Sequence, residues 1–278
     1  MKQRLLVAAV GVPLLLAVLL VCPAWATLIL TCIIIGVAAY ELLHTAGKDV
    51  PMNVYAMTIV IAVITAAYTY TGSSAFAIGS VSSVTVIRWY FVIFLFFAAV
   101  ATYGREQKLR FADLAAAVVA GIVFPAMYVC IALLRKTEPF GKLYVLAPFV
   151  IAFIGDSFSM LFGSKFGKKK LAPLVSPNKT WAGFIAGPVG SAIGMVLLGL
   201  VGKLVWSYTP NYLLLIFCGV VSNVFGQLGD LSTSLIKREA GIKDYSRLFL
   251  THGGMLDRFD STMFIAPVVY FFVQGGVI

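Results

Sequence analysis

Nine stretches of the chain are apolar on every side over about the length a bilayer demands: 5–22, 24–43, 51–70, 84–103, 112–134, 142–162, 183–205, 211–232 and 261–278. A spanning helix needs about 20 such residues, because the hydrocarbon core is roughly 30 Å thick and a helix rises about 1.5 Å per residue. Strands of a membrane barrel would alternate apolar and polar positions, and these runs do not. Backbone groups in lipid must be satisfied within their own segment, so each run is expected to be a helix. The predicted fold class is therefore all-α, a polytopic transmembrane helical bundle of about nine spans. The first run follows Lys2 and Arg4 and has the outline of a secretory signal peptide. No A-x-A site follows it, and the lipobox-like Leu19-Leu20-Val21-Cys22 lacks a small residue before the cysteine, so an uncleaved first helix is expected.

Composition agrees with this pattern. Of 278 residues, 61% are hydrophobic and 12% charged, about half the charged share of an ordinary soluble protein, which excludes a water-soluble fold. The four cysteines, Cys22, Cys32, Cys130 and Cys218, fall inside apolar runs without C-x-x-C pairing, so no disulfide framework or zinc site is suggested. His44 ends a helix with no ligand-type neighbour.

The basic residues are distributed unevenly between the two sides that nine spans define. Lys2, Arg4, Lys48, Arg105, Lys108, Arg110, Lys165, Lys168, Lys169, Lys170, Lys179, Lys237, Arg238, Lys243, Arg247 and Arg258 share the side of the N-terminus. Arg135, Lys136, Lys142 and Lys203 lie opposite, and Arg88 sits inside a span near its outer end. Because cytoplasmic loops carry the excess of Lys and Arg, the N-terminus is expected in the cytoplasm. The net charge of +10 has no soluble basic domain to carry it, so nucleic acid is an unsuitable partner, whereas anionic lipid headgroups and nucleotide phosphates are suitable ones.

Chemistry concentrates in the second half. Residues 1–140 read as nearly featureless N-terminal membrane helices, a scaffold with a dimer or lipid-access surface, and residues 141–278 as a catalytic membrane domain with two basic cytoplasmic loops. Asp156 and Asp230 lie near the cytoplasmic ends of the sixth and eighth runs, where a carboxylate in a membrane is costly enough to imply function. Residues 229–261 then mix Asp244, Asp257 and Asp260 with Lys237, Arg238, Lys243, Arg247 and Arg258. Such a mixture suits a hard divalent cation together with phosphate, since Mg²⁺ takes one or two carboxylates and completes its shell with water and phosphate oxygens. Gly253 and Gly254 permit close backbone approach to a phosphate. Ser176, Pro177, Asn178, Lys179 and Thr180 precede a helix start and form a candidate anion cradle.

These residues carry a resemblance. Gln227, Gly229, Asp230, Leu231, Ser234, Lys237, Arg238, Lys243, Asp244, His252, Gly253, Gly254, Asp257, Arg258, Asp260 and Ser261 resemble the signature of phosphatidate cytidylyltransferases, also called CDP-diacylglycerol synthases. Asp156, Gly163, Phe166, Gly167, Ser176, Pro177, Lys179, Thr180 and Gly183 resemble a second block of that family, with Ala182, Ser164, Ser159-Met160 and, in the signature, Leu250-Thr251 as departures. The resemblance covers about 110 residues and implies that CTP and phosphatidate give CDP-diacylglycerol and pyrophosphate. It implies Mg²⁺ and a possible second cation, held by Asp230, Asp257, Asp260, Asp156 and Asp244, with Asp230 and Asp257 foremost. Asp230, Asp257, Lys237, Arg238, His252 and Arg258 would be catalytic. Ser176, Pro177, Asn178, Lys179, Thr180, Lys243, Gly253, Gly254 and Ser234 would bind substrate. A homodimer in a bacterial cytoplasmic membrane, with the site facing the cytoplasm, is also implied. A transporter with aspartates as ion ligands is the competing reading.

Overall fold

The computed structural model describes residues 2–47, 50–72, 82–104, 109–249 and 253–278, with side chains from residue 9 onward. The order is α1 (Lys2–Leu20), α2 (Ala24–Ala46), α3 (Met52–Thr71), α4 (Ser83–Thr102), α5 (Phe111–Val118), a π-helical turn (Val119–Val123), α6 (Phe124–Lys136), α7 (Gly141–Tyr144), α8 (Ala147–Phe166), β1 (Lys170–Ala172), β2 (Ser176–Thr180), α9 (Trp181–Trp206), α10 (Tyr212–Glu239) and α11 (Met255–Gln274). The chain is a helical integral membrane protein.

Among the described residues, seven helical stretches are long and apolar enough to cross a membrane: Ala24–Ala46, Met52–Thr71, Ser83–Thr102, Phe111–Lys136, Gly141–Phe166, Trp181–Trp206 and Tyr212–Glu239. They coincide with the second to eighth predicted runs. The first and ninth runs are also helical, as α1 and α11, but fall outside this set; the start of α11 carries Asp257, Arg258 and Asp260.

One element departs from an all-helical chain. β1 and β2 pair antiparallel, Lys170 opposite Thr180 and Ala172 opposite Ser176, with an irregular register between. Both strands are sheet edges, which is where Pro177 can sit without removing a needed N–H from a ladder. The hairpin holds Lys179 against the start of α9, whose first turn is capped by the Thr180 hydroxyl accepting from Gly183 N at 3.2 Å.

Lipid offers no hydrophobic drive between helices, so close approach and buried hydrogen bonds must hold them together. On α9, Gly183, Gly187, Gly190 and Gly194 recur at helical spacing and face α8: a Cβ on Gly183 would lie 2.6 Å from Ser159 O, and one on Gly190 2.5 Å from Phe158 Cγ. Polar side chains then stitch α8, α9 and α10. Ser191 Oγ donates to Ile151 O at 2.8 Å, Asn223 Nδ2 to the same carbonyl at 3.4 Å, and Gln227 Nε2 to Asn223 Oδ1 at 2.7 Å and Phe184 O at 3.1 Å. The N-terminal helices join this unit where α2 and α6 pack on α11.

Candidate active site

The glycine-mediated approach of α8 and α9 ends at a cavity of about 620 Å³. Asp156, Ser159 and Gly163 of α8, Asn178, Lys179 and Thr180 of β2, and Gln227 and Asp230 of α10 line it. Lys179 Nζ lies 2.7 Å from Asp230 Oδ2 and donates more weakly to Gln227 O at 3.5 Å. Both members of this pair are partly open, at 24% and 28% side-chain exposure. Ser234 Oγ reaches Asp230 Oδ1 at 3.4 Å. Asp156 is exposed to the cavity and has no ion pair among the described residues. Asp156, Asp230 and Asp260 interact electrostatically with one another, and Lys179 and Lys237 offset part of their repulsion. Two carboxylates, Asp156 and Asp230, and two lysines, Lys170 and Lys179, line the pocket, which puts oxygen donors for a cation beside ammonium groups for phosphate.

A second lysine–aspartate pair lies outside this cavity. Lys237 Nζ donates to Asp257 Oδ1 at 2.7 Å, with the side chains only 10% and 3% exposed. Asp257 Oδ2 accepts from Tyr245 N at 2.8 Å and Gly254 N at 2.9 Å. Asp257 therefore caps its own helix and anchors the loop before it, so both of its oxygens are occupied where the sequence pointed to a metal ligand beside Asp230. Gly253 has φ of +82°, and a Cβ there would meet Asp257 Oδ2 at 2.7 Å, so glycine is required on both counts. The Tyr245 ring sits 5.4 Å from Lys237 Nζ, and its hydroxyl donates to Thr233 O at 2.9 Å. Burial, and then the Asp257 carboxylate, hold the Tyr245 phenol above its ordinary pKa, so it acts as a neutral donor.

Sequence reading missed Glu41. It is 2% exposed and comes from α2, far from the motif-rich half. Its Oε1 accepts from Ser246 Oγ at 2.5 Å and Met255 N at 3.0 Å, and its Oε2 from Leu256 N at 2.8 Å. The first free N–H groups of α11 are satisfied by this carboxylate and by Asp257, and the helix dipole favours negative charge at that end. A Cβ on Gly254 would meet Glu41 Oε1 at 2.3 Å, so the H-G-G glycines make room for two acids. The only sequence signal for Glu41 was an acid within an apolar run.

The remaining predicted residues scatter around the cavity. Arg238 Nε donates to Val175 O at 3.2 Å and its Nη1 to Ile242 O at 3.0 Å, pinning the hairpin turn to the loop after α10. Lys243, Asp244 and Arg258 are exposed, and Ser176 and Pro177 lie on β2 without lining the cavity. His252, with Leu250 and Thr251, lies outside the described residues. No group of three His, Cys, Asp or Glu side chains that could hold a metal occurs among the described residues. Mg²⁺ does not require one: two cavity carboxylates, Asp156 and Asp230, fit its preference for few protein ligands and many water or phosphate oxygens.

The model of the Cytidylyltransferase family matches residues 2–275. The chain is 42% identical over 134 residues to a protein of Staphylococcus epidermidis named phosphatidate cytidylyltransferase, which is 48% of this chain and 50% of that protein. Proteins of the same name match at 40% over 136 residues in Staphylococcus saprophyticus, covering 49% and 51%, and at 42% over 135 residues in Staphylococcus aureus, covering 48% and 50%. The chain spans about half the length of the curated relatives it matches.

Proposed function

The chain belongs to the cytidylyltransferase family, and from that premise we propose that it transfers CMP from CTP to phosphatidate, releasing pyrophosphate and leaving CDP-diacylglycerol in the membrane. The observation that carries this reading is the partly open Lys179–Asp230 pair in a cavity it shares with Asp156. An ammonium group held by a carboxylate at a cavity wall is a phosphate contact in waiting: a triphosphate takes the lysine, and the aspartate is freed.

The phosphatidate phosphate is already an oxyanion at neutral pH, so its attack on the α-phosphorus of CTP needs positioning and charge neutralisation rather than a strong base. Lys179 supplies one cation, and the hairpin fixes where it points. Asp156 and Asp230 would hold Mg²⁺, with Asp260 adding negative charge nearby and room for a second cation in the same proposal. When bound, the ion supplies charge neutralisation to the phosphate oxygens of the departing pyrophosphate. Asp257 could join these ligands by giving up Lys237 and two backbone amides, and Asp244 does not line the cavity. Asp156 and Asp230 are therefore the ligands proposed. Met160 lines the cavity and is 74% exposed on the outer face of α8. In this proposal a lipid headgroup enters sideways past Met160 while its acyl chains stay in the bilayer.

Incubating the purified chain in detergent with phosphatidate and α-phosphate-labelled CTP tests the reaction. Label is expected in a chloroform-soluble product only when phosphatidate is present, and its absence in an otherwise folded preparation refutes the assignment. The basic loops are proposed to face the cytoplasm, as the charge bias implies. A cysteine replacing Lys169 should resist an impermeant thiol reagent in intact cells and react after permeabilisation.

A further inference from the structure

A second cavity, of about 510 Å³, lies between α3, α4, α6 and α11 and shares no lining residue with the first. Chain direction places it toward the other end of the bundle. It meets the end of α3 and the start of α4, whereas Asp230 lies near the end of α10 and Lys179 just before α9. Its walls include Thr69, Thr85, Cys130 and Tyr270 between apolar positions such as Val129 and Leu133.

The charged group in it is Arg88. It sits in the second turn of an otherwise apolar helix, about 8 Å along the axis from Ser83 at about 1.5 Å per residue. Arg88 Nε is buried and has no hydrogen-bond partner among the described residues, and no ion pair there includes Arg88. A guanidinium never loses its charge under ordinary conditions and presents five donors in a planar fork suited to phosphate. Held inside a span with an unused donor, such a group is expensive unless an anion joins it. The surroundings indicate which anion. Trp89, Tyr90, Ile93 and Phe97 on the same helix are 70%, 66%, 61% and 71% exposed, an aromatic and aliphatic surface of the kind that rests against headgroups and upper acyl chains. Nearby, Lys136 is already engaged, donating to Tyr70 O at 2.7 Å and lying 4.9 Å from the Tyr70 ring centre.

We propose that this cavity binds the phosphate headgroup of an anionic membrane lipid, with Arg88 as its charged contact and the acyl chains lying along α4. The site is distinct from the Lys179–Asp230 cavity and does not rest on the reaction assigned to that cavity.

Native mass spectrometry of the delipidated full chain, titrated with dioleoyl phosphatidylglycerol, tests it. The unaltered protein should retain phosphatidylglycerol about tenfold more tightly than dioleoyl phosphatidylcholine. Arg88→Gln and the cavity-filling Thr85→Phe should each abolish that preference, while Lys179→Ala should keep it. Added inorganic phosphate should not displace the lipid. Equal retention of the two lipids by the unaltered protein overturns the proposal even if a variant fails to fold. Displacement by inorganic phosphate, or an Arg88→Gln protein that binds like the parent, overturns it as well.

Discussion

Two lysine–aspartate pairs are built into neighbouring parts of the bundle, each closed at 2.7 Å, and they differ in nearly everything else. Lys237 and Asp257 are almost fully covered. Their carboxylate also holds two backbone amides, so opening the pair would strand charge in a poorly solvated place. Lys179 and Asp230 are about a quarter exposed and carry only weak additional contacts. An ion pair next to water exchanges partners at little cost, and one shut away from it does not. Distance alone therefore does not separate an exchangeable pair from a fixed one; burial and the count of competing hydrogen bonds do. The two motif blocks together contain both pairs, and the structure separates them by burial.

Substitutions can break this contrast. The largest effect is expected for Asp257→Ala, which leaves Lys237 buried without a counter-charge; loss of about 3 kcal/mol or more in stability should appear as early thermal aggregation in detergent. An Asp257→Ala protein that is stable yet inactive would make Asp257 a ligand like Asp230. Next, Asp230→Asn should purify and melt like the parent but lose about a hundredfold in cytidylyl transfer, roughly 2.7 kcal/mol of transition-state stabilisation. Near-parental turnover at limiting Mg²⁺ would remove Asp230 from the proposed metal site. Glu41→Gln should cost about 2 kcal/mol in stability, because a charged acceptor of two helix N–H groups becomes neutral. Its affinity for CTP, read from KM, should stay unchanged, and a selective rise in KM would place Glu41 in substrate binding instead. Lys179→Ala is expected to give the smallest of these effects, a roughly tenfold loss in kcat/KM or about 1.4 kcal/mol, without a change in melting.

The helices were legible because a bilayer imposes length and composition on each segment separately, so no long-range information is needed to find Ala24–Ala46 or Tyr212–Glu239. Asp156, Lys179 and Asp230 were legible as cavity residues because motif spacing and alternating helix direction bring them to one end. The hairpin was missed because its residues are few and rich in proline, with little alternation to betray strands. The contacts of Asp257 were hidden for a different reason. Sequence shows that a carboxylate stands near a lysine and two glycines, but which oxygen each donor claims is decided by how α10, α11 and the loop between them pack. Glu41 showed only as an acid in an apolar run, since its partners lie 205 to 215 residues away.

That separation has a meaning in time as well as in space. Glu41 is made 214 residues before Met255, whose amide it accepts. At roughly 5–20 residues per second of synthesis, it waits on the order of ten to forty seconds for its donors. During that interval Glu41 lacks the Met255 and Leu256 amides that it accepts in the finished fold. An interrupted chain keeps that defect permanently. The arrival of α11 is thus the event that turns an incomplete, acid-bearing assembly into a finished one, and Glu41 is the residue whose state records whether it has happened.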